Sequence, residues 1–195
     1  MALEALARVQ VLVTTADEAG RVTAHGVPVA LVRAQAAALA LPLRVVTVPR
    51  GAPNAIYEAH LGAALAALKA QGIGVVAAGD LFLEDVRRYR QRLIEGAGLR
   101  AAFPLWGCAS AEFAEAFLAR GFAALTVAVD PRALPESFLG RPYDRALLRA
   151  LPPSVDPCGE RGEFHTFVTG GPTFRRPVAY RRGRVLGGRL ELLPA

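Results

Sequence analysis

The sequence predicts an α/β fold: a Rossmann-like parallel sheet with helices on both faces, followed by a small carboxy-terminal α+β region containing a hairpin. Near-continuous apolar runs at 9–15, 43–48 and 73–78 alternate with helical patterns. Strands of a parallel sheet read this way because both of their faces are covered. The chain, at 195 residues, is long enough to bury a real core. Past residue 130 the sequence turns to proline, glycine and arginine, which divides it into 1–130 and 131–195.

In chain order, residues 2–8 carry Leu3 and Leu6 on one helical face and lead into the apolar run at 9–15. A polar loop at 17–26 holds His25. A helix over 28–40 starts at Pro28, where proline suits the first turn. The second strand, 43–48, is followed by a loop with Pro49, Gly51 and Pro53 and by an alanine-rich helix over 54–71, with Asn54 as its cap. The third strand closes on Gly79-Asp80. Ligands of such sheets lie beyond the carboxyl ends of the strands, where Thr14-Thr15 and Gly79-Asp80 both fall.

A charged helix follows Leu81, with Glu84 and Asp85 at its amino end, where the helix dipole favours negative charge and capping alone accounts for them. Gly96 and Gly98 stop it. Ser110 is expected to cap the next helix, and a strand spans 122–129. Residues 131–153 read as a linker with a short helix at 143–151. The last expected elements are strands at 177–182 and 184–193, turning near Gly183.

The formal net charge is +6. It is concentrated at the end: Arg175, Arg176, Arg181, Arg182, Arg184 and Arg189 against Glu191. These arginines suit either the wet face of a hairpin, where they also block edge pairing, or a phosphate-rich partner such as RNA. Nucleic acid is the less expected partner. Cys108 and Cys158 belong to no metal-ligand spacing and read as free thiols. No apolar run approaches the ~18 residues of a membrane span, and the start lacks the basic residues of a signal peptide. A soluble cytoplasmic protein without a membrane partner is expected.

The densest polar chemistry lies in Asp156-Pro157-Cys158-Gly159-Glu160-Arg161-Gly162-Glu163-Phe164-His165-Thr166. Two glutamates, a histidine and a threonine stand among glycines that permit tight turns and close approach to a ligand. The alternative is a turn-rich connection into a strand.

Four segments, Gly79-Asp80-Leu81-Phe82-Leu83-Glu84-Asp85 with Arg87 and Tyr89, Phe103-Pro104-Leu105-Trp106-Gly107, Leu139-Gly140-Arg141, and the stretch from Asp156 to Thr166, have the order and spacing of the diphthine–ammonia ligase family. Over nearly the whole chain, from Thr14-Thr15 and His25-Gly26-Val27 onward, the sequence resembles these N-type ATP pyrophosphatases, relatives of the adenine-nucleotide alpha hydrolases. The resemblance implies a nucleotide-binding domain of HUP type over 1–130 and a substrate-binding region over 131–195. It also implies ATP-dependent amide formation, as in diphthamide synthesis. A carboxylate attacks the α-phosphate, pyrophosphate leaves, and ammonia displaces AMP from the acyl-adenylate.

The resemblance places Thr14, Thr15, His25, Gly26 and Gly79 at the adenosine. Asp80, Glu84 and Asp85 would face the reacting centre, with Mg²⁺ at Asp80, since this hard cation takes carboxylates and waters. Glu160 and Glu163 would act at the substrate and ammonia site, beside Gly159, Gly162, His165 and Thr166. The implied cofactors are ATP and Mg²⁺. The implied partners are ammonia and a small-molecule or protein-borne carboxylate. Arg161 stands where the family pattern commonly has asparagine.

The family pattern begins with a strand and the phosphate loop Ser-Gly-Gly-Lys-Asp-Ser, whose backbone amides and helix amino terminus cradle phosphates. Neither stands in this sequence, and residues 2–8 read as the remainder of that helix. Two explanations stand: a native start about a dozen or more residues upstream, or a binding or structural relative that has lost the phosphate site. As written, the chain is expected to bind ATP poorly or not at all. The unpaired strand edge left behind favours a homo-oligomer.

Overall fold

The computed structural model describes residues 8–195. The helix expected over 2–8 therefore lies almost wholly outside the described residues. Eight strands and five α-helices follow in the order β1 (Leu12–Ala16), α1 (Val29–Ala38), β2 (Leu43–Thr47), α2 (Asn54–Ala70), β3 (Val75–Ala77), α3 (Glu84–Gly96), β4 (Arg100–Ala102), α4 (Ser110–Ala119), β5 (Ala123–Val129), α5 (Arg145–Ala150), β6 (Phe164–Gly170), β7 (Tyr180–Leu186) and β8 (Arg189–Pro194).

The class is mixed α/β, and the strand–helix alternation of the first half is as expected. The extended parallel sheet is not. β1 pairs in parallel with β2, from Leu12 against Leu43 to Ala16 against Thr47, and β3 pairs separately with β4. Strands must lie about 4.8 Å apart to share hydrogen bonds. A cleft of about 1100 Å³ lies between β1 and β3, bordered also by α2 and α3. The apolar runs that predicted a covered sheet instead border this cleft, and Val13 is exposed at its side.

The second half closes on an antiparallel sheet of order β6-β5-β8-β7. One face packs through Leu125, Val127, Phe167, Leu190 and Leu192 against Val27 and Leu31 at the start of α1. The α1 helix is tied further to this sheet by the Gln35 amide, which donates to the Val168 carbonyl at 2.6 Å. The opposite face, with Ala124, Val129 and Phe164, buries Ala114 of α4 and Leu147 of α5.

Residues 131–153 are not a linker. Leu134, Phe138, Tyr143 and Leu147 all enter the second core. Asp144 caps α5 by accepting a hydrogen bond from the Leu147 amide at 2.7 Å. Asn54 and Ser110 do not cap: the cap positions are Pro53 and Ala109, and neither helix start has a side-chain cap bond.

The hairpin turns at Gly187-Gly188 rather than at Gly183. Both turn glycines have positive φ, +56° and +70°, as a tight two-residue turn between twisted strands requires. Gly183 lies inside β7 near an irregularity of register, where a β-carbon would come within 2.6 Å of the Glu191 carboxylate.

Replacing Leu134, 1% exposed, with alanine is expected to destabilise the fold by about 2–5 kcal/mol in urea denaturation. Leu186→Ser, at a position 83% exposed, is expected to stay within about 0.5 kcal/mol of the parent. Equal effects at the two positions would contradict the core assignment.

Candidate active site

The chain leaves β3 through Ala78, whose amide is held by the Ala102 carbonyl, and reaches Gly79-Asp80-Leu81. Leu81 is buried, which fixes the backbone around it. Asp80 Oδ1 accepts from Arg90 Nε at 3.1 Å, and its side chain is 11% exposed. Its Oδ2 is buried and has no hydrogen-bond partner among the described residues. Such an atom keeps its desolvation cost unless a donor or cation reaches it.

The second carboxylate arrives from the loop before β6. Glu160 Oε2 accepts from the Leu81 amide at 3.3 Å, so residues 79 positions apart converge beyond the end of β3. Burial pushes the Glu160 carboxyl above its ordinary range, and the nearby charges of Asp156 and Asp80 push the same way. The Leu81 amide and Arg90 oppose this.

That loop is built on two other carboxylates. Asp156 Oδ1 accepts from the amides of Cys158 (2.8 Å) and Glu160 (3.3 Å). Glu163, buried at 8% exposure, accepts from Asp156 through Oε1 at 2.9 Å and from Arg161 through Oε2 at 3.0 Å. Both Glu163 oxygens thus have backbone partners. Gly159 has φ +68°, and a β-carbon there would lie 2.5 Å from the Phe164 carbonyl oxygen. Gly162 also has positive φ but borders open space. The Arg161 guanidinium lies over the Phe82 ring at 5.6 Å.

Thr14 and Thr15 border the cleft between β1 and β3, as do Asp85 and Arg90. The hydroxyls of Thr15 and Thr23 are hydrogen-bonded at 2.7 Å. Glu84 instead pairs along the surface of α3 with Arg88 at 3.0 Å and Arg87 at 3.9 Å. Arg87 in turn lies over Trp106, 4.4 Å from its ring centre, which ties the second quoted segment to the first. Gly79 packs near Leu105. Thr166 on β6 is half-buried opposite Thr126 on β5.

His25 and His165 meet at 6.3 Å between ring centres. Burial, followed by the positive charges of His165 and Arg189, depresses His25 to about 4. Burial and Arg189 lower His165 as well. Gly26 has positive φ and lies against the Arg189 guanidinium.

Sequence reasoning missed Asp156 and Arg90 as parts of the carboxylate site. Asp156 begins Asp-Pro-Cys-Gly, a turn signature in which the side chain bonds amides a few residues on. Arg90 stands three residues after Arg87, so the two share a helix face. Cys108 and Cys158 are free thiols, as expected. Burial pushes the Cys158 thiol up to about 12, which makes it a poor nucleophile. Arg181, Arg182 and Arg184 are exposed on β7. No helix among the described residues is long and apolar enough to cross a membrane.

Residues 110–185 match the family model described as the diphthamide synthase C-terminal domain. The match spans the loop that carries Asp156, Glu160 and Glu163, and it supports a diphthamide synthase-related family. No curated protein matches the sequence.

The two loop glutamates should separate by experiment. Glu163→Gln places an amide donor against backbone donors and is expected to cost about 1–3 kcal/mol in denaturant stability. Glu160→Gln removes a desolvated charge from beside Asp80 and Asp156 and should leave stability equal or higher. The reverse ranking would contradict the geometry. The histidines carry a pH signature. Unfolded His25 takes up a proton near its ordinary 6.5, whereas the folded residue resists until about 4. The unfolded state therefore binds more protons in this window, and stability falls as pH drops from about 6.5 to 4. Urea midpoints measured across the window should show a shallower fall in His25→Gln.

Proposed function

We propose that the protein is an ATP-dependent amide-forming ligase of the diphthine–ammonia type, in which a carboxylate is activated by adenylation and then attacked by ammonia. The observation that carries this reading is the buried Oδ2 of Asp80, without a partner among the described residues, beside the partly desolvated Glu160 carboxylate. Paired carboxylates with one free acceptor suit a small cationic donor. Ammonium has the charge and the hydrogens for it.

Ammonium must lose a proton before nitrogen can attack. Glu160 is placed to take it: its raised proton affinity brings it closer to ammonium, which eases transfer. Asp80 Oδ2 orients the nitrogen, and Arg90 on Oδ1 holds the carboxylate's plane. Glu163 and Asp156 act one step back, by fixing the loop that presents Glu160.

Mg²⁺ also fits Asp80 Oδ2, since this ion binds through one or two carboxylates and otherwise keeps its waters. There it would supply charge neutralisation for phosphate oxygens. The described residues suit ATP less well. The cleft between β1 and β3 offers hydroxyls at Thr14 and Thr15, with Arg8 and Arg90, against a largely aliphatic wall. That lining suits a nucleoside better than a triphosphate. The same lining favours a second reading, a non-catalytic relative that binds through the cleft. In the ligase reading the acceptor is a carboxylate, small or protein-borne.

The reading is tested by pyrophosphate release with ATP, Mg²⁺, ammonium and a panel of carboxylate acceptors. Asp80→Asn and Glu160→Gln are each expected to lower the rate by about 100-fold or more. Weak ATP binding by this chain, above the millimolar range in calorimetry, is expected as well. A folded chain without pyrophosphate release for any acceptor would favour the non-catalytic reading.

A further inference from the structure

The antiparallel sheet ends on β7, whose outer edge pairs with no strand among the described residues. The amides and carbonyls along that edge are open to a further strand. Successive side chains of a strand point to opposite faces, so Arg181 and Arg182 stand on either side of the edge. Arg184, Val185 and Leu186 follow, and all five of these residues are exposed. Val185 and Leu186 are 46% and 83% exposed, so burial on folding does not account for their apolar character.

None of these three arginines makes an ion pair among the described residues. Arg181 donates through Nε to the Pro194 carbonyl at 3.3 Å. The acids that meet the hairpin are already engaged: Glu191 by Arg21 at 3.3 Å, and Glu136 by the Gly188 amide at 3.0 Å. The edge therefore carries positive charge on both faces and an apolar patch at one end.

A second copy of the chain is a poor occupant. Antiparallel self-pairing about Gly183 would set Arg182 against Arg184, and like charges directly opposite one another destabilise a sheet. An RNA strand would leave Val185 and Leu186 without a role. It would also lack a ring to stack on, since Tyr180 of β7 is turned edge-on to Phe167, 6.4 Å between ring centres. An acidic peptide with apolar residues complements both features.

We infer that the β7 edge docks an extended acidic segment of a partner protein, added to the sheet as an outer strand. Pairing of β7 is regular along Tyr180–Arg182, and the irregularity between Arg182 and Val185 interrupts it. The added segment thus bonds the first stretch and meets Val185 and Leu186 through an apolar side chain. The arginines that discourage self-pairing thereby select an acidic strand. Neither Asp80 nor Glu160 contributes, so the surface stands independently of the ligase reading.

The test is an amide NMR titration with a synthetic peptide of alternating glutamate and aliphatic residues, beside a matched lysine peptide and hexauridylate. Saturable shifts centred on 180–186 are expected with the acidic peptide. Its affinity should fall about tenfold or more when Arg181, Arg182 and Arg184 are all replaced with serine. Leu186→Ser should weaken it about threefold or more at an unchanged urea midpoint. Tighter binding of hexauridylate would transfer the surface to RNA and overturn the proposal. Absence of saturation with the acidic peptide, shifts centred elsewhere, or equal binding of the lysine peptide would overturn it too.

Discussion

The arrangement at the carboxylate site depends on how the loop before β6 satisfies its backbone. Between Asp156 and Glu163 four amides are held by two carboxylates, Asp156 for Cys158 and Glu160, and Glu163 for Asp156 and Arg161. A charged acceptor holding two amides makes stronger hydrogen bonds than a neutral one. The Glu163 carbonyl also accepts from the Asp130 amide at the end of β5. The loop is thereby fastened to the central strand of the antiparallel sheet. Glu160 is carried to Leu81 as a consequence.

Charge is partitioned within the molecule. Asp80, Asp156 and Glu160 gather beyond β3, where Arg90 is the paired cation and one oxygen of Asp80 has no partner among the described residues. The imidazoles of His25 and His165, which lie close together near Arg189, are by contrast kept uncharged at neutral pH by burial. Only the first arrangement suits a small charged ligand.

Much of this was legible in the sequence, and the failures have physical causes. The apolar runs gave β1, β2 and β3, because strands that pack on helices are rich in branched apolar residues, although all three are only partly buried here. Whether those strands join one sheet is a matter of distance, and composition does not report the cleft that separates β1 from β3. Residues 131–153 read as a linker because prolines break periodicity; Leu134, Phe138 and Leu147 are buried there without needing a repeating pattern. A lone Gly183 between apolar and basic residues looks like a turn, yet the consecutive glycines at 187 and 188 meet the demand of a two-residue turn for positive φ at both positions. The residue types of the site were visible at Asp80 and Glu160. Their meeting was not, since contacts between segments so far apart leave no local signature.

The central claim is that Asp80 and Glu160 share a desolvated site able to bind a cation. The most direct test is the side-chain titration of Glu160, followed by carbon NMR in the parent protein and in Asp80→Asn. A Glu160 carboxyl that titrates above the ordinary range, and that moves back toward it when the Asp80 charge is removed, is the predicted result. Titration in the ordinary range in both proteins would mean that Glu160 is solvated and apart from Asp80, and the account of the site would fail.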